Sequence, residues 1–484
     1  MNKFNYLLLA SALMALLLAG CAAGPEYQRA EVLVPDHFKE AGMTAEAARK
    51  WQEAQPKDAL SRGRWWAIFN DSTLDALQEQ AERANQDLKA AAARVRQARA
   101  LRATAQSGRF PTVDVSAGPS RQRRSAASMG LEDGAPASTD TLWRVQLGAS
   151  YEADLFGRVA SEVDAASADA QQSQALFESL KLALQADVAQ TYFLIRRLDA
   201  ELALYEKTVE LRSKTLELVT QRYQAGDIGE LDVARSRTAL ASARSEALGI
   251  ERERLVAEHS LATLLGKPPS EFSLDTHPLG RVPVDIPAGL PSSLLERRPD
   301  IAAAERAMAA ANARIGAARA AYFPRLTLTG AMGYESSELS NLLEWSSRTF
   351  LLGPLVGSIL SLPIFDGGRR EANVERARAR YEEDVAAYRQ TVLQAFKEVE
   401  DGLANVRILG EQTQVQDLAV DQASRAARLS QIQYREGSVS YLDVIDADRE
   451  VLVQKRASVR LDGDRAMAAV ALIRAIGGAW DWDG

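Results

Sequence analysis

Trp143-Arg144-Val145-Gln146-Leu147-Gly148-Ala149-Ser150-Tyr151 alternates strictly, with apolar side chains at odd positions and polar or small ones at even positions. A period of two places successive side chains on opposite faces of a strand. Just upstream, Val113, Val115 and Ala117 alternate with Asp114, Ser116 and Gly118; in the second half, Leu326 and Leu328 alternate with Thr327 and Thr329. Strands of about ten residues that alternate between lipid and water mark a transmembrane β-barrel. A half-buried soluble sheet alternates in the same way, so the pattern alone leaves both readings open. A fourth strand is expected within Leu352 to Ile364, where alternation is poor. Pro354, Pro363, Gly353 and Gly357 make Phe350 to Phe365 strand and turn rather than a membrane helix. The segment from Arg121 to Asp140 reads as an outer loop. Its Arg121, Arg123 and Arg124 suit either simple solvation or contact with lipopolysaccharide phosphates.

Beyond the strands the period changes. Residues 158–225 run for 68 positions with no Gly and no Pro; residues 369–436 run for another 68, with Gly402 and Gly410 but no Pro. Leu180, Leu184, Val188 and Tyr192 recur at helical spacing. A helix of that length extends roughly 100 Å. Returning helices are expected from Asp232 to Leu265 and from Tyr441 to Ile476. Taken alone, these segments suit a coiled-coil rod.

The chain is also written twice. Arg222-Tyr223-Gln224-Ala225-Gly226 followed by Leu231-Asp232-Val233 corresponds to Gln433-Tyr434-Arg435-Glu436-Gly437 followed by Leu442-Asp443-Val444, at an offset of 211. Gly157-Arg158 meets Gly368-Arg369 at the same offset, and Phe110-Pro111 meets Phe323-Pro324 at 213. An ordered series at nearly constant offset is a tandem duplication. Each half reads as helix, two strands, a Gly-Arg turn, one very long helix, a Gly turn and a returning helix.

The N-terminus reads as an address. Lys3 precedes an apolar run from Tyr6 to Ala19, too short to span a bilayer as a helix and laid out as a secretory signal peptide. It closes on Leu18-Ala19-Gly20-Cys21, which resembles the bacterial lipobox, where Cys21 becomes the acylated first residue. Cys21 is the one Cys among 484 residues, so a disulfide framework or a multi-Cys metal site is excluded. The three His have no ligand-like spacing. A net charge of −7 argues against nucleic acid as partner. No phosphate loop, Gly-x-Ser-x-Gly or Cys/His pair is present, so no catalytic residue, cofactor or metal is expected.

Four strands cannot close a membrane barrel, and unpaired edges in lipid are prohibitive. Either the four strands are therefore not in a membrane, or chains pool them in one barrel. Eight strands enclose almost nothing, so a pore needs at least three chains.

Together the chain resembles an outer-membrane efflux duct of the TolC superfamily, on its lipoprotein (OprM-like, NodT) branch. The resemblance rests on the lipobox, Trp65-Trp66 with Phe69, Leu295-Glu296-Arg297-Arg298-Pro299-Asp300-Ile301 and Tyr322-Phe323-Pro324. It rests also on Leu362-Pro363-Ile364-Phe365-Asp366-Gly367-Gly368-Arg369 and Tyr441-Leu442-Asp443-Val444. It implies a mixed, mainly α fold: a long antiparallel helical α-barrel with four transmembrane strands per protomer, forming a 12-stranded trimeric β-barrel. The expected organisation is a signal peptide (1–20), an acylated N-terminal segment (21–72), periplasmic helical regions (73–109, 155–322, 366–478), barrel hairpins (110–154, 323–365) and a tail (479–484). The implied partners are a homotrimer, a periplasmic adaptor, an inner-membrane pump of the resistance-nodulation-division type and the outer membrane. The implied lipid is N-acyl and S-diacylglycerol on Cys21.

The expected site is the periplasmic tip. Gly226 and Gly437 stop the long helices. Asp443 and Asp446 lie three apart on one helix face; they suit favourable charge at a helix N-terminus or, under threefold symmetry, a ring of carboxylates that attracts cations. The resemblance implies the latter, a closed-state constriction, and a latch pairing Tyr434 with Asp232. Two departures stand out: Val439 replaces a family Arg, and Arg235 is the first-half counterpart of Asp446, so the halves differ in charge at the tip and Arg235 is a candidate partner for an acid. The function implied is export of drugs and small toxic compounds. A metal-ion or type I protein export duct of the same architecture remains an alternative, although Met129, Met308 and Met332 are scattered. From another class, a lipid-anchored periplasmic coiled-coil scaffold remains open.

Overall fold

The computed structural model describes residues 24–35, 38–41, 63–123, 130, 132, 139–280, 297–352 and 360–478. The signal peptide, Cys21, Arg124 and the tail 479–484 lie outside them.

The duplication is exact in length. Helix α3 (Arg158–Gln224) and helix α6 (Arg369–Arg435) each have 67 residues; the returning helices α4 (Glu230–Leu264) and α7 (Tyr441–Ala475) each have 35. Shorter helices α1 (Ser72–Ala84) and α2 (Gln86–Ser107) precede the first half, and α5 (Pro299–Ala320) precedes the second. No described helix is long and apolar enough to cross a membrane. The chain divides into two compact units, residues 1–30, 94–173 and 304–388 on one hand and residues 31–93, 174–303 and 389–484 on the other.

The first unit holds an antiparallel sheet in the order β1 (Thr112–Arg123), β2 (Thr139–Ala153), β3 (Arg325–Ser336), β4 (Arg348–Leu352), with β5 (Leu360–Ser361) also on β3. The fourth strand begins at Arg348, four residues before the expected segment, because Arg348–Leu352 continues the ladder from Tyr334 to Gly330. β1 also runs further than expected, through Arg121 and Arg123, which pair with Thr141 and Thr139. Those two arginines are strand residues, not loop residues. Pro119 lies on β1, which within one chain is an edge of this sheet, the position where strands tolerate Pro. Gly333 is required by close approach: a Cβ there would run into the Val145 carbonyl of β2. The N-terminal segment is pinned to helices of the same unit. Gly24 lies against Gly316, the Asn312 amide donates to the Pro25 carbonyl at 3.0 Å, and Arg29 donates to the Tyr388 hydroxyl at 3.0 Å.

The second unit has the main apolar core. Trp65 and Trp66 are buried with Leu74, Leu77, Val188, Phe193, Leu198 and Leu261. Trp65 satisfies its indole N–H on Gln185 at 2.9 Å, and Gln78 donates to the Gln185 carbonyl at 2.7 Å. Asp71 caps α1, accepting from Thr73 and Leu74, and also accepts from the Tyr192 hydroxyl at 2.6 Å. Burial, with that carboxylate, pushes the Tyr192 pKa up to about 12. Arg298 gives the Arg-Pro-Asp motif its role. It forks onto Asp300 at 2.6 Å and reaches Glu398 at 2.7 Å and the Ala475 carbonyl at 2.9 Å, tying α5 to α6 and α7.

Candidate functional site

At the tip, each half ends its long helix with the same turn. Gly226, at φ +82°, donates to the Tyr223 carbonyl, and Asp227 donates to that of Arg222, both at 3.0 Å. Gly437, at φ +76°, donates to Tyr434 at 3.0 Å, and Ser438 to Gln433 at 2.8 Å. These are the paired bonds of a Schellman motif, and the left-handed residue is Gly in both. Nothing crowds either position, so backbone conformation rather than space demands Gly. Val219, Val233, Tyr441 and Val444 form a small buried cluster joining α3, α4 and α7, and Tyr434 of α6 packs against it.

The polar groups around that cluster have distinct partners. Tyr434 accepts from Arg222 at 2.6 Å, and the Arg222 guanidinium stands 5.5 Å from its ring centroid. Asp232 pairs with Arg235 at 3.7 Å, one turn along α4. Within one chain, then, the structure brings Tyr434 to Arg222, and it gives Asp232 an acid–base partner on its own helix. Arg222 is the tip residue that sequence reasoning missed. Its second-half counterpart is Gln433, so the repeat concealed it.

Asp443 and Asp446 also separate. Asp443 accepts from the Ser440 backbone N–H at 2.8 Å and from the Ser440 hydroxyl at 2.7 Å, completing a capping box. The Ser440 hydroxyl, then its backbone N–H, hold the Asp443 carboxyl below the usual aspartate range. Asp446 is exposed and has no hydrogen-bond or ion-pair partner among the described residues.

The sheet supplies the other functional surface. Val115, Leu147, Met332 and Phe350 are register partners in turn and stand side by side on one face. They are 70%, 43%, 61% and 79% exposed, a continuous apolar row open to the surroundings. The neighbouring rows of the same face are Val113 with Ala149 and Ala117 with Val145 and Tyr334. The opposite face carries Ser116, Gln146 and Thr349 in one row, and Arg144 paired with Glu335 in another. Near the strand ends, Phe156 stacks on Phe323 at 4.7 Å, and Phe110 and Tyr322 are exposed. An apolar outer face with an aromatic girdle and a polar inner face is the pattern of a lipid-embedded barrel wall.

A family model described as "Outer membrane efflux protein" matches residues 77–267 and 290–478. The chain is a member of the outer membrane efflux protein family. It is 34% identical to the outer membrane protein OprJ of Pseudomonas aeruginosa, over 97% of this chain and 95% of that one. It is 35% identical to the solvent efflux pump outer membrane protein SrpC of Pseudomonas putida, over 96% and 97%. It is 32% identical to the cation efflux system protein CusC of Escherichia coli, also over 96% and 97%. Among solved structures, the outer-membrane channel OprN superposes with a TM-score of 0.84 at 29% identity, covering 95% of this chain and all of that one. The protein is therefore an outer-membrane efflux channel with the TolC-like fold, and the free-standing periplasmic scaffold is set aside. Two further family marks find their physical reason here: Trp65-Trp66 in the core and Arg298 in its charge cluster.

Proposed function

We propose that three copies of this chain form the exit duct of a tripartite assembly, receiving small toxic organic compounds from an inner-membrane pump of the resistance-nodulation-division type through a periplasmic adaptor. The row Val115–Leu147–Met332–Phe350 carries this reading. It gives one chain a lipid-facing wall, yet β1 and β4 leave the sheet with two open edges. Lipid offers no partner for an open edge, so neighbouring chains must supply it. Three chains pool twelve strands around a polar bore.

The duct acts by shape and charge along that bore. The pump supplies the energy. Cys21 carries the lipid, and the segment pinned by Gly24, Asn312 and Arg29 follows it along the helices. At the tip, Asp446 is the constriction carboxylate. Asp443 shares that charge while capping its helix, and Arg222 with Tyr434 holds the hairpins closed. The 32% identity to CusC favours metal-cation export as the second reading. Deletion of the gene decides between them. Sensitisation to hydrophobic organic compounds, restored by the cloned gene, supports the first reading. Sensitisation to copper or silver alone supports the second. An unchanged profile rejects both.

A further inference from the structure

Between α3, α4 and α7 lies an open groove of about 510 Å³, within the same compact unit as the tip. Its walls carry four guanidinium groups, Arg212, Arg449, Arg456 and Arg460, with Tyr205 and one carboxylate, Glu246. The acids are already spent. Arg456 donates to Glu201 at 3.0 Å, to Tyr205 at 3.1 Å and to Glu246 at 3.2 Å, and Arg460 shares Glu201 at 3.2 Å. Glu201 is buried behind them and also faces Arg197 at 3.7 Å.

Two cations are left over. Arg212 donates to the Ala239 carbonyl at 2.6 Å, and Arg449 has no hydrogen-bond or ion-pair partner among the described residues. Burial pulls the Arg212 pKa down, and the nearby Arg449 charge adds to that pull against the opposing influence of Asp448. Like charges gathered in one groove repel, and a bound anion removes the repulsion. Guanidinium forks match the paired oxygens of phosphate and carboxylate. The volume lies in the range of small-molecule sites.

We propose that this groove binds a small multivalent oxyanion, gripped by Arg212 and Arg449 and backed by Arg456 and Arg460. Its place adds meaning. On α7, Asp446, Val453 and Arg460 are spaced by seven, and Arg449 and Arg456 follow by three, so they share one stripe of a supercoiled helix. If Asp446 faces the bore, as proposed above, the groove opens on it too. Cargo would then meet a cationic step directly after the carboxylates.

Calorimetric titration of pyrophosphate into the full-length protein, in metal-free buffer of low ionic strength, tests the site. Saturable binding is expected in wild type. Arg449→Gln and Arg212→Gln should each weaken it by at least about tenfold, and Arg449→Lys should restore part of it. Arg449 makes no contact that folding needs, so loss in that variant reports the site itself. Absence of saturable binding in wild type, or equal binding by the Gln variants, overturns the proposal. Planar bilayers separate the site from the bore-facing reading. Pyrophosphate block in wild type and Asp446→Asn, relieved in Arg449→Gln, supports both; calorimetric binding without block keeps the site and rejects the bore-facing placement.

Discussion

Arg222 and Tyr434 stand 212 positions apart in the chain and 2.6 Å apart in space, joining the last turns of the two long helices. The contact is the polar counterpart of the apolar cluster of Val219, Val233, Tyr441 and Val444 beneath it. A hydrogen bond from a charged donor that is partly exposed contributes about 1 kcal/mol.

Tyr434→Phe and Arg222→Ala should therefore each shift the tip toward opening about fivefold. Open probability in planar bilayers measures this. The double variant should add little to either single one, because both remove the same bond. Wild-type gating in both single variants would remove Arg222 from the latch.

The two tip aspartates should behave differently. Asp446→Ala should raise conductance and weaken block by multivalent cations, while leaving α7 intact. Asp443→Ala should also fray the first turn of α7, since its carboxylate closes the capping box with Ser440. The Asp443 pKa is depressed in the folded state, so its stabilisation is present above the ordinary aspartate range. It is lost as pH falls through the depressed value. Hydrogen exchange at residues 441–444, followed through the acid range, should show protection falling in wild type and already absent in Asp443→Ala. Equal protection in the two would refute the capping role.

Asp199 is fully buried and accepts from Arg254 at 2.6 Å, from Arg196 at 3.1 Å and from the His277 backbone at 3.0 Å. Asp199→Ala leaves two buried guanidinium groups short of an acid and should cost about 3–5 kcal/mol. A lowered thermal midpoint, with the loop around residues 274–279 becoming accessible to protease, is the expected result.

Gly333→Ala should impair barrel formation rather than helix formation, because its Cβ would collide with the β2 backbone at Val145. The heat-modifiable band on gels should diminish while helical circular dichroism persists. A normal heat-modifiable band would show that the strands can part there.

Cys21→Ser should abolish acylation and leave assembly largely intact, since the open sheet edges drive it. Mass spectrometry of the mature N-terminus reads the first, and native gels read the second. Recovery of an acylated variant would end the lipoprotein assignment.

The strand and helix content was legible in the sequence because it is periodic. Alternation in Trp143 to Tyr151 and two uninterrupted runs of 68 residues are local properties, and the repeat at offset 211 required only comparison of the chain with itself. The turn glycines were legible because the left-handed residue that ends a long helix is most often Gly. The start of the fourth strand was set four residues late because its signal is not its own alternation but the open hydrogen bonds of β3, which Arg348–Leu352 completes. Partnerships were likewise out of reach. Arg222 has Gln433 as its repeat mate, and nothing near it in sequence names Tyr434. Arg212 and Arg449 look like ordinary helix-surface charges until three helices fold together and the available acids prove to be committed elsewhere. Periodicity is written into each segment by its own backbone geometry, so the chain alone determined the elements and their duplication. Which charges are matched depends on side chains brought together from distant segments, so tertiary structure alone decided the Arg222–Tyr434 contact and the cationic groove.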